Sequence, residues 1–344
     1  DQTNHIIKSI LDEYFDKDEK VKYEGSPFPK DSKFEYELYT ALPMSDEELA
    51  KAEVKYKGKY NHWTGALQHI SVWSRQDVSH SVMRLSGYNA APSLPCWEAL
   101  DHLMRYLYHK PHVPIMYPSK EIVETEITVH HAKGDAEITE LKNVREYTGV
   151  KMYTDADLAK DIATRRSVTS VVHEYNSVAF AWKIQKQSGV AHHTNGSEIR
   201  AFFTGIKRTK VFRRFLESLG RPIKGPTPSY EDNNAAIQQI QADKLTPRVK
   251  HLDIMMSWLH EEHAIGTYVA IYCNTLLNKS DMNTKAHGGQ ILQEKHLCLV
   301  GFRFYPAKGT VHYELLGLGK YNIGVHRGSF LLEPSKAVQK KIEQ

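Results

Sequence analysis

The feature that most constrains the fold of this chain is a change in the spacing of its apolar residues. From His62 to Tyr108, apolar residues recur every three to four positions, which predicts two or three packed helices. After about residue 146, short runs rich in β-branched and aromatic residues alternate with helical stretches. The sequence therefore predicts a helical region followed by an α/β domain.

The order of elements in the second part predicts its topology. Its strands and helices follow one another as βββαβααβα, with strands at 147–155, 167–175, 178–184, 227–231 and 266–273, and helices at 197–219, 235–242, 249–263 and from about 279. This order predicts a mixed sheet in which three antiparallel strands precede parallel strands joined by helical crossovers. The first and fourth strands should be central neighbours.

The chain divides into five predicted segments. They are a charged N-terminal segment (1–58), a helical region (59–120), an insertion (121–145), the α/β domain (146–290) and a C-terminal extension (291–344). Short helices are predicted near 6–15 and 45–54, and the run Ser45-Asp46-Glu47-Glu48 is typical of a capping box at the second. The predicted fold class is thus α/β with an N-terminal helical domain.

Net charge, cysteine content and the length of apolar runs limit the cellular compartments and the classes of partner that the sequence predicts. The 344 residues carry a net charge of +4, which permits a polyanionic partner but is far below that of a histone-like protein. Three widely spaced cysteines, Cys96, Cys273 and Cys298, cannot by themselves build a disulfide framework or a four-ligand zinc site. No run approaches the ~20 apolar residues that span a bilayer. We expect an intracellular protein without a membrane partner.

Four carboxylates occupy telling positions in the predicted domain. Asp155 ends the first strand, Glu198 lies in the first turn of the long helix, Asp232 follows the fourth strand, and Asp281 opens the last helix. An acid at a strand end is usually a turn or cap residue, so any single one is weak support. Together they should converge at one edge of the sheet. Hard oxygen ligands favour Mg²⁺ or Mn²⁺, and two such ions can hydrolyse a phosphodiester.

Basic residues are concentrated on the predicted long helix at 197–219 and around the predicted strand before it, at 178–184. Such a run is either a solvated helix face or a surface that tracks phosphates. We favour nucleic-acid binding, because the two elements are adjacent, and predict that it involves Lys183, Lys186, Lys207, Arg208, Lys210 and Arg214. The aromatic residues Trp63, Trp73 and Trp97 are predicted to lie in the helical core instead.

Several motifs resemble those of Copia-type retrotransposon polyproteins. The run YTDADLAKD at 153–161 is similar to the family's Y-S-D-A-D-W-A-G-D, and AWKIQKQ at 181–187 to S-W-K-S-K-K-Q. DNNAAI at 232–237, KHLDI at 250–254 and SDMNTK at 280–285 resemble D-N-x-S-A-I, K-H-I-D-I and A-D-I-L-T-K. The likeness covers about residues 60–302.

The resemblance implies a ribonuclease H that cleaves the RNA strand of an RNA/DNA hybrid. Asp155, Glu198, Asp232 and Asp281 would be its catalytic acids and would hold two Mg²⁺ or Mn²⁺ ions. Residues 59–120 would correspond to the thumb and connection of a reverse transcriptase. The resemblance also implies a polymerase chain as a partner, and a cytoplasmic virus-like particle or the nucleus as the location.

The sequence also departs from the family pattern. The run HHTNGSE at 192–198 keeps only Glu198 of the two glutamates in S-S-T-E-A-E-Y, and Leu158 replaces a tryptophan. The Y-x-D-D motif of a polymerase is absent, which predicts that this chain alone does not polymerise nucleotides.

The alternative hypothesis is a domesticated ribonuclease H-like subunit that has a binding or architectural role without catalysis. A DNA-cutting integrase is disfavoured, because it would carry three acids in a different order of motifs.

Overall fold

The computed structural model describes residues 2–113, 115, 149–159, 164–175, 178–242, 252–275 and 278–285. The predicted insertion at 121–145, the extension at 291–344 and the pair Lys250-His251 lie outside the described residues.

The first part of the chain is helical, as predicted. It consists of α1 (Thr3–Ile6), a π-helix (Ile7–Leu11), α2 (Asp12–Tyr14), α3 (Ser32–Thr40), α4 (Asp46–Lys55), α5 (Tyr60–Trp73), a 3-10 helix (Gln76–Val78), α6 (Ser79–Ser86) and α7 (Leu94–His109). The capping box of α4 is confirmed: the Ser45 hydroxyl accepts from the Glu48 amide, and the Glu48 carboxylate accepts from the Ser45 amide. Helix α3 was not predicted.

One apolar core holds the helical part together. It includes Ile10 of the N-terminal segment as well as Trp63 and Trp97, so residues before and after position 58 pack on each other. The rings of Tyr56 and Trp97 stack with centroids 4.9 Å apart. The prediction that Trp73 is a core residue is wrong: its side chain is 67% exposed, because burial at the end of α5 passes to Ser74 and Arg75 instead.

The second part contains the predicted mixed sheet. Its elements are β1 (Val150–Asp157), β2 (Val168–Tyr175), β3 (Val178–Lys186), α8 (Thr194–Ser218), β4 (Thr227–Glu231), α9 (Asn234–Gln241), α10 (Asp253–Ala264), β5 (Tyr268–Tyr272) and a 3-10 helix (Lys279–Asn283). The strand order is β3-β2-β1-β4-β5. The first three strands pair antiparallel, and β1–β4 and β4–β5 pair parallel. The predicted ribonuclease H-like fold class and the central β1–β4 pair are confirmed.

Helix α8 lies close against β1, and a glycine makes this approach possible. It buries Ile199, Phe202 and Ile206 against the sheet. A Cβ atom at Gly205 would lie 2.4 Å from the Met152 Sδ atom, well inside van der Waals contact. The short distance between the two elements brings the first turn of α8 to the carboxyl end of β1.

The helical part also contacts the sheet. The indole nitrogen of Trp182 on β3 donates a 2.8 Å hydrogen bond to the Ser71 carbonyl of α5, and α6 packs against β3. Among the described helices, none combines the length and apolar character needed to cross a bilayer.

Candidate active site

Three of the four predicted acids meet at one edge of the sheet. Asp155, Glu198 and Asp232 each offer one carboxylate oxygen, and these oxygens lie within 4.8 Å of one another. The Asp155 and Glu198 side chains are buried, and Asp232 is half-buried. Because carboxylates at this spacing repel one another, the group favours a bound cation.

The surrounding elements position each of these side chains. Asp155 and Asp232 come from the carboxyl ends of β1 and β4, which are hydrogen-bonded neighbours. Glu198 lies in the first turn of α8, whose N-terminus is capped by the His193 imidazole accepting from the Gly196 amide. The Gln187 side chain donates to the Ser197 carbonyl at 2.9 Å and so ties the start of α8 to the end of β3.

Burial dominates the electrostatics of the group. It raises the pKa of Asp155 to about 7; Lys285 opposes this shift, while Asp232 and Asp281 add to it. Burial is also the main reason why the pKa of Glu198 is raised well above its usual value, with Glu231 and Asp155 contributing next. Desolvation therefore contributes more to the raised pKa of Asp155 than repulsion between the acids does.

Asp281 lies beside this group and differs from it in its partner. It is buried in the 3-10 helix after β5 and forms an ion pair with Lys285. Thr284, directly before Lys285 in the sequence, donates a hydrogen bond to the Asp155 carboxylate. Asp281 contributes to the potential at Asp155, yet it is not one of the three acids whose oxygens converge. The predicted four-acid set is therefore a group of three and a neighbouring ion pair.

The sequence interpretation missed three residues that contact the acids. Glu231 is fully buried at the end of β4, and Thr284 and Lys285 lie in the SDMNTK run without an assigned role. The Glu231 carboxylate accepts from the Thr154 hydroxyl at 2.7 Å and from the Asp232 and Asn233 amides, both at 3.2 Å. The signal for Glu231 was its place directly before Asp232. Because β4 ends beside β1, Glu231 and Asp232 both lie close to the acids at this edge of the sheet.

The donor set suits a hard divalent cation. Its oxygen ligands are carboxylates, and the group of three includes neither histidine nor cysteine, which fits Mg²⁺ or Mn²⁺ better than zinc. The buried Glu198 Oε2 atom accepts no hydrogen bond from the described residues. A buried carboxylate oxygen normally has a partner, and a cation between the acids would provide one.

The residues predicted to bind nucleic acid do not form one continuous cluster. Lys183, Lys207 and Arg208 lie together on the α8 side of β3: burial lowers the pKa of Lys183, and the charges of Arg208 and Lys207 lower it further. None of these three forms an ion pair with a described residue. Lys210 instead pairs with Glu262, Lys186 lies beside Gly87 of the helical part, and Arg214 is exposed on α8.

Comparisons with known proteins agree with the motifs. The Pol polyprotein of transposon TNT 1-94 from Nicotiana tabacum is 27% identical over 229 residues, which are 67% of this chain and 15% of that protein. The Pol polyprotein of transposon RE1 from Arabidopsis thaliana is 23% identical over 260 residues, 76% of this chain and 15% of that protein. No family model matches.

Among solved structures, LC11-RNase H1, isolated from compost by a metagenomic approach, is 14% identical, with a TM-score of 0.30 and coverage of 39% of this chain and 91% of that one. The chain spans about 15% of the length of the polyproteins that it matches. The resemblance of this chain to retrotransposon Pol polyproteins, which its motifs predicted, is thereby confirmed.

Proposed function

We propose that this chain is a metal-dependent ribonuclease H that hydrolyses the RNA strand of an RNA/DNA hybrid. The observation that carries the proposal is the convergence of Asp155, Glu198 and Asp232 within 4.8 Å at the edge of a ribonuclease H-like sheet. The similarity to Pol polyproteins supports the same substrate, because the motifs shared with Copia-type retrotransposon polyproteins imply a ribonuclease H. A reverse transcriptase polymerase chain is the partner that this setting suggests.

Each acid has a role that follows from its position. Asp155 and Asp232 would hold the metal ions between the ends of β1 and β4, and Glu198 would complete one coordination shell and orient the attacking water. Asp281 would serve the second ion. Two Mg²⁺ or Mn²⁺ ions bound there supply activation of a water molecule and stabilisation of the leaving oxygen. The burial that raises the pKa of Asp155 and Glu198 also excludes bulk water from these ligands.

The group of Lys183, Lys207 and Arg208 is proposed to contact the phosphate backbone of the hybrid. Three cations held together without a carboxylate partner among the described residues repel one another, and a phosphate would relieve this repulsion. Such contacts give affinity without reading the sequence, and the 2′-hydroxyl groups distinguish RNA from DNA. Cleavage should therefore show little sequence preference.

The test is hydrolysis of a labelled RNA/DNA hybrid with Mg²⁺ or Mn²⁺. Asp155→Asn and Asp232→Asn keep the size of the side chain and remove the charge that holds the metal. We expect each to lower the rate by at least about 100-fold, because even changes in the outer shell of a metal site cost about 10–100-fold. Far-UV circular dichroism should show that both variants remain folded.

Asp253→Asn is the matched control, because Asp253 is an exposed acid at the start of α10. It lies outside the cluster of Asp155, Glu198 and Asp232, which is called the acid group below. This variant should cleave like the unmodified chain. Cleavage by Asp155→Asn and Asp232→Asn at the control rate would refute the mechanism. Metal binding without any hydrolysis would instead support the non-catalytic, domesticated subunit.

A further inference from the structure

The ion pair between Asp281 and Lys285 places an ammonium group at the border of the acid group. The two residues are one helical turn apart, and their side chains are 3% and 37% exposed. Thr284, between them, donates to the Asp155 carboxylate and contacts the Asp281 carbonyl. The side of the acid group that faces Asp281 therefore already contains a cation.

The charge of Lys285 acts on more than its direct partner. Its ammonium interacts favourably with Asp155 and Asp232 as well as with Asp281. Glu198 and Glu231 also belong to the surroundings of the group. Lys285 thus neutralises part of the charge that would otherwise attract a second divalent cation to the Asp155–Asp281 side.

Building on the metal-dependent activity proposed above, we propose that Lys285 is a resident cation that competes with the second metal ion for Asp281. The first ion needs only Asp155, Glu198 and Asp232, which are not paired with Lys285 by a hydrogen bond. The second ion requires Asp281, so the Lys285 ammonium must leave before it binds. Lys285 is then a positioning residue, which acts through Asp281 and sets the affinity for the second ion.

A second ion pair in the same domain offers a matched control. Lys210 of α8 and Glu262 of α10 also join a half-exposed lysine to a buried carboxylate, with side chains 34% and 2% exposed. Glu262 is not part of the acid group. The two pairs therefore differ in their proximity to the acids and not in their chemistry.

The first experiment measures Mn²⁺ binding by the complete chain without substrate, using calorimetry and the electron paramagnetic resonance signal of free Mn²⁺. The unmodified chain should bind one ion tightly and a second at least about 10-fold more weakly, a difference of about 1.4 kcal/mol. Lys285→Gln should tighten the second ion by about 10-fold or more, whereas Lys210→Gln should change neither. Equal isotherms for Lys285→Gln and the unmodified chain would overturn the proposal and leave the proposed function intact. No binding by any of the three would refute both.

The second experiment needs no substitution and so does not depend on the folding of a variant. Lysines of the unmodified chain are reductively methylated with and without saturating Mn²⁺, and the products are quantified by mass spectrometry. Displacement from Asp281 should raise the modification of Lys285 at least about 2-fold, since a free amine reacts and an ion-paired ammonium is protected. Lys210 serves as the internal reference and should not change. Unchanged modification of Lys285 at saturation would contradict displacement.

Discussion

At the scale of single residues, Glu231 is a buried acid beside the candidate site whose carboxylate binds protein groups and not a metal ion. Its two carboxylate oxygens are occupied by the Thr154 hydroxyl and by the Asp232 and Asn233 amides. These contacts fix the turn after β4 and so orient Asp232. Complete burial raises the pKa of Glu231 well above its usual value, and the neighbouring Asp232 adds to the rise.

Glu231→Gln should therefore stabilise the metal-free protein at neutral pH. The glutamine carbonyl can still accept from the Asp232 and Asn233 amides. Its NH2 group can donate to the Thr154 oxygen while that hydroxyl donates to the Tyr230 carbonyl, so the contacts remain without a buried charge. Because the folded-state pKa of Glu231 is raised, its contribution to stability is complete below the unfolded pKa of about 4.3 and is lost as the pH rises through the folded value. The gain from Glu231→Gln should accordingly be larger at pH 8 than at pH 5. Urea unfolding in the presence of a chelator measures it, and an equal gain at both pH values would contradict the argument.

At the scale of elements, strand order and the place of each acid were predictable, while their partners were not. The runs rich in β-branched and aromatic residues predict the strands, and the positions of the acids after strands or at a helix start follow local rules. Asp155, Glu198 and Asp232 could therefore be assigned to one edge. The ion pair of Asp281 with Lys285 depends on where the chain returns after β5, which local patterns do not specify. Helix α3 was missed because Leu38 is its one buried residue, which leaves too weak a periodicity.

A substitution at Gly205 would test the close packing of α8 on β1, which brings Glu198 near Asp155. A methyl group there would collide with Met152 on β1 and with Thr154, so Gly205→Ala should lower the free energy of unfolding by about 1–3 kcal/mol. Gly65→Ala is the control within a helix, because an added Cβ at Gly65 meets no atom within 4 Å. It should stabilise the protein by about 0.5–1 kcal/mol through helix propensity. Chemical denaturation of both variants gives the comparison, and a neutral Gly205→Ala would show that the elements can move apart freely.

At the scale of the whole molecule, the helical part borders the candidate site. His80 and Arg84 of α6 share a small cavity with Lys186 of β3 and Thr284, and Thr284 is the residue that donates to Asp155. The Trp182–Ser71 hydrogen bond joins β3 to α5 nearby. The helical apolar core and the apolar cluster on which Trp182 packs are thus linked by polar contacts close to the acids. A rigid junction would keep Thr284 in place.

Trp182→Phe should weaken this junction while keeping most of the aromatic ring. The substitution removes the indole donor and leaves the Ser71 carbonyl with the Ser79 hydroxyl, which contacts it at 2.9 Å, so the expected cost is about 0.5–1.5 kcal/mol. Because the lost contact joins the two parts, amide hydrogen exchange should accelerate in α5, α6 and β3 and stay unchanged in β5, which lies at the opposite edge of the sheet. Trp73→Phe is the matched control, since Trp73 ends the same helix α5 with its ring 67% exposed. Equal exchange in the two variants would mean that the Trp182 hydrogen bond does not couple the helical part to the sheet.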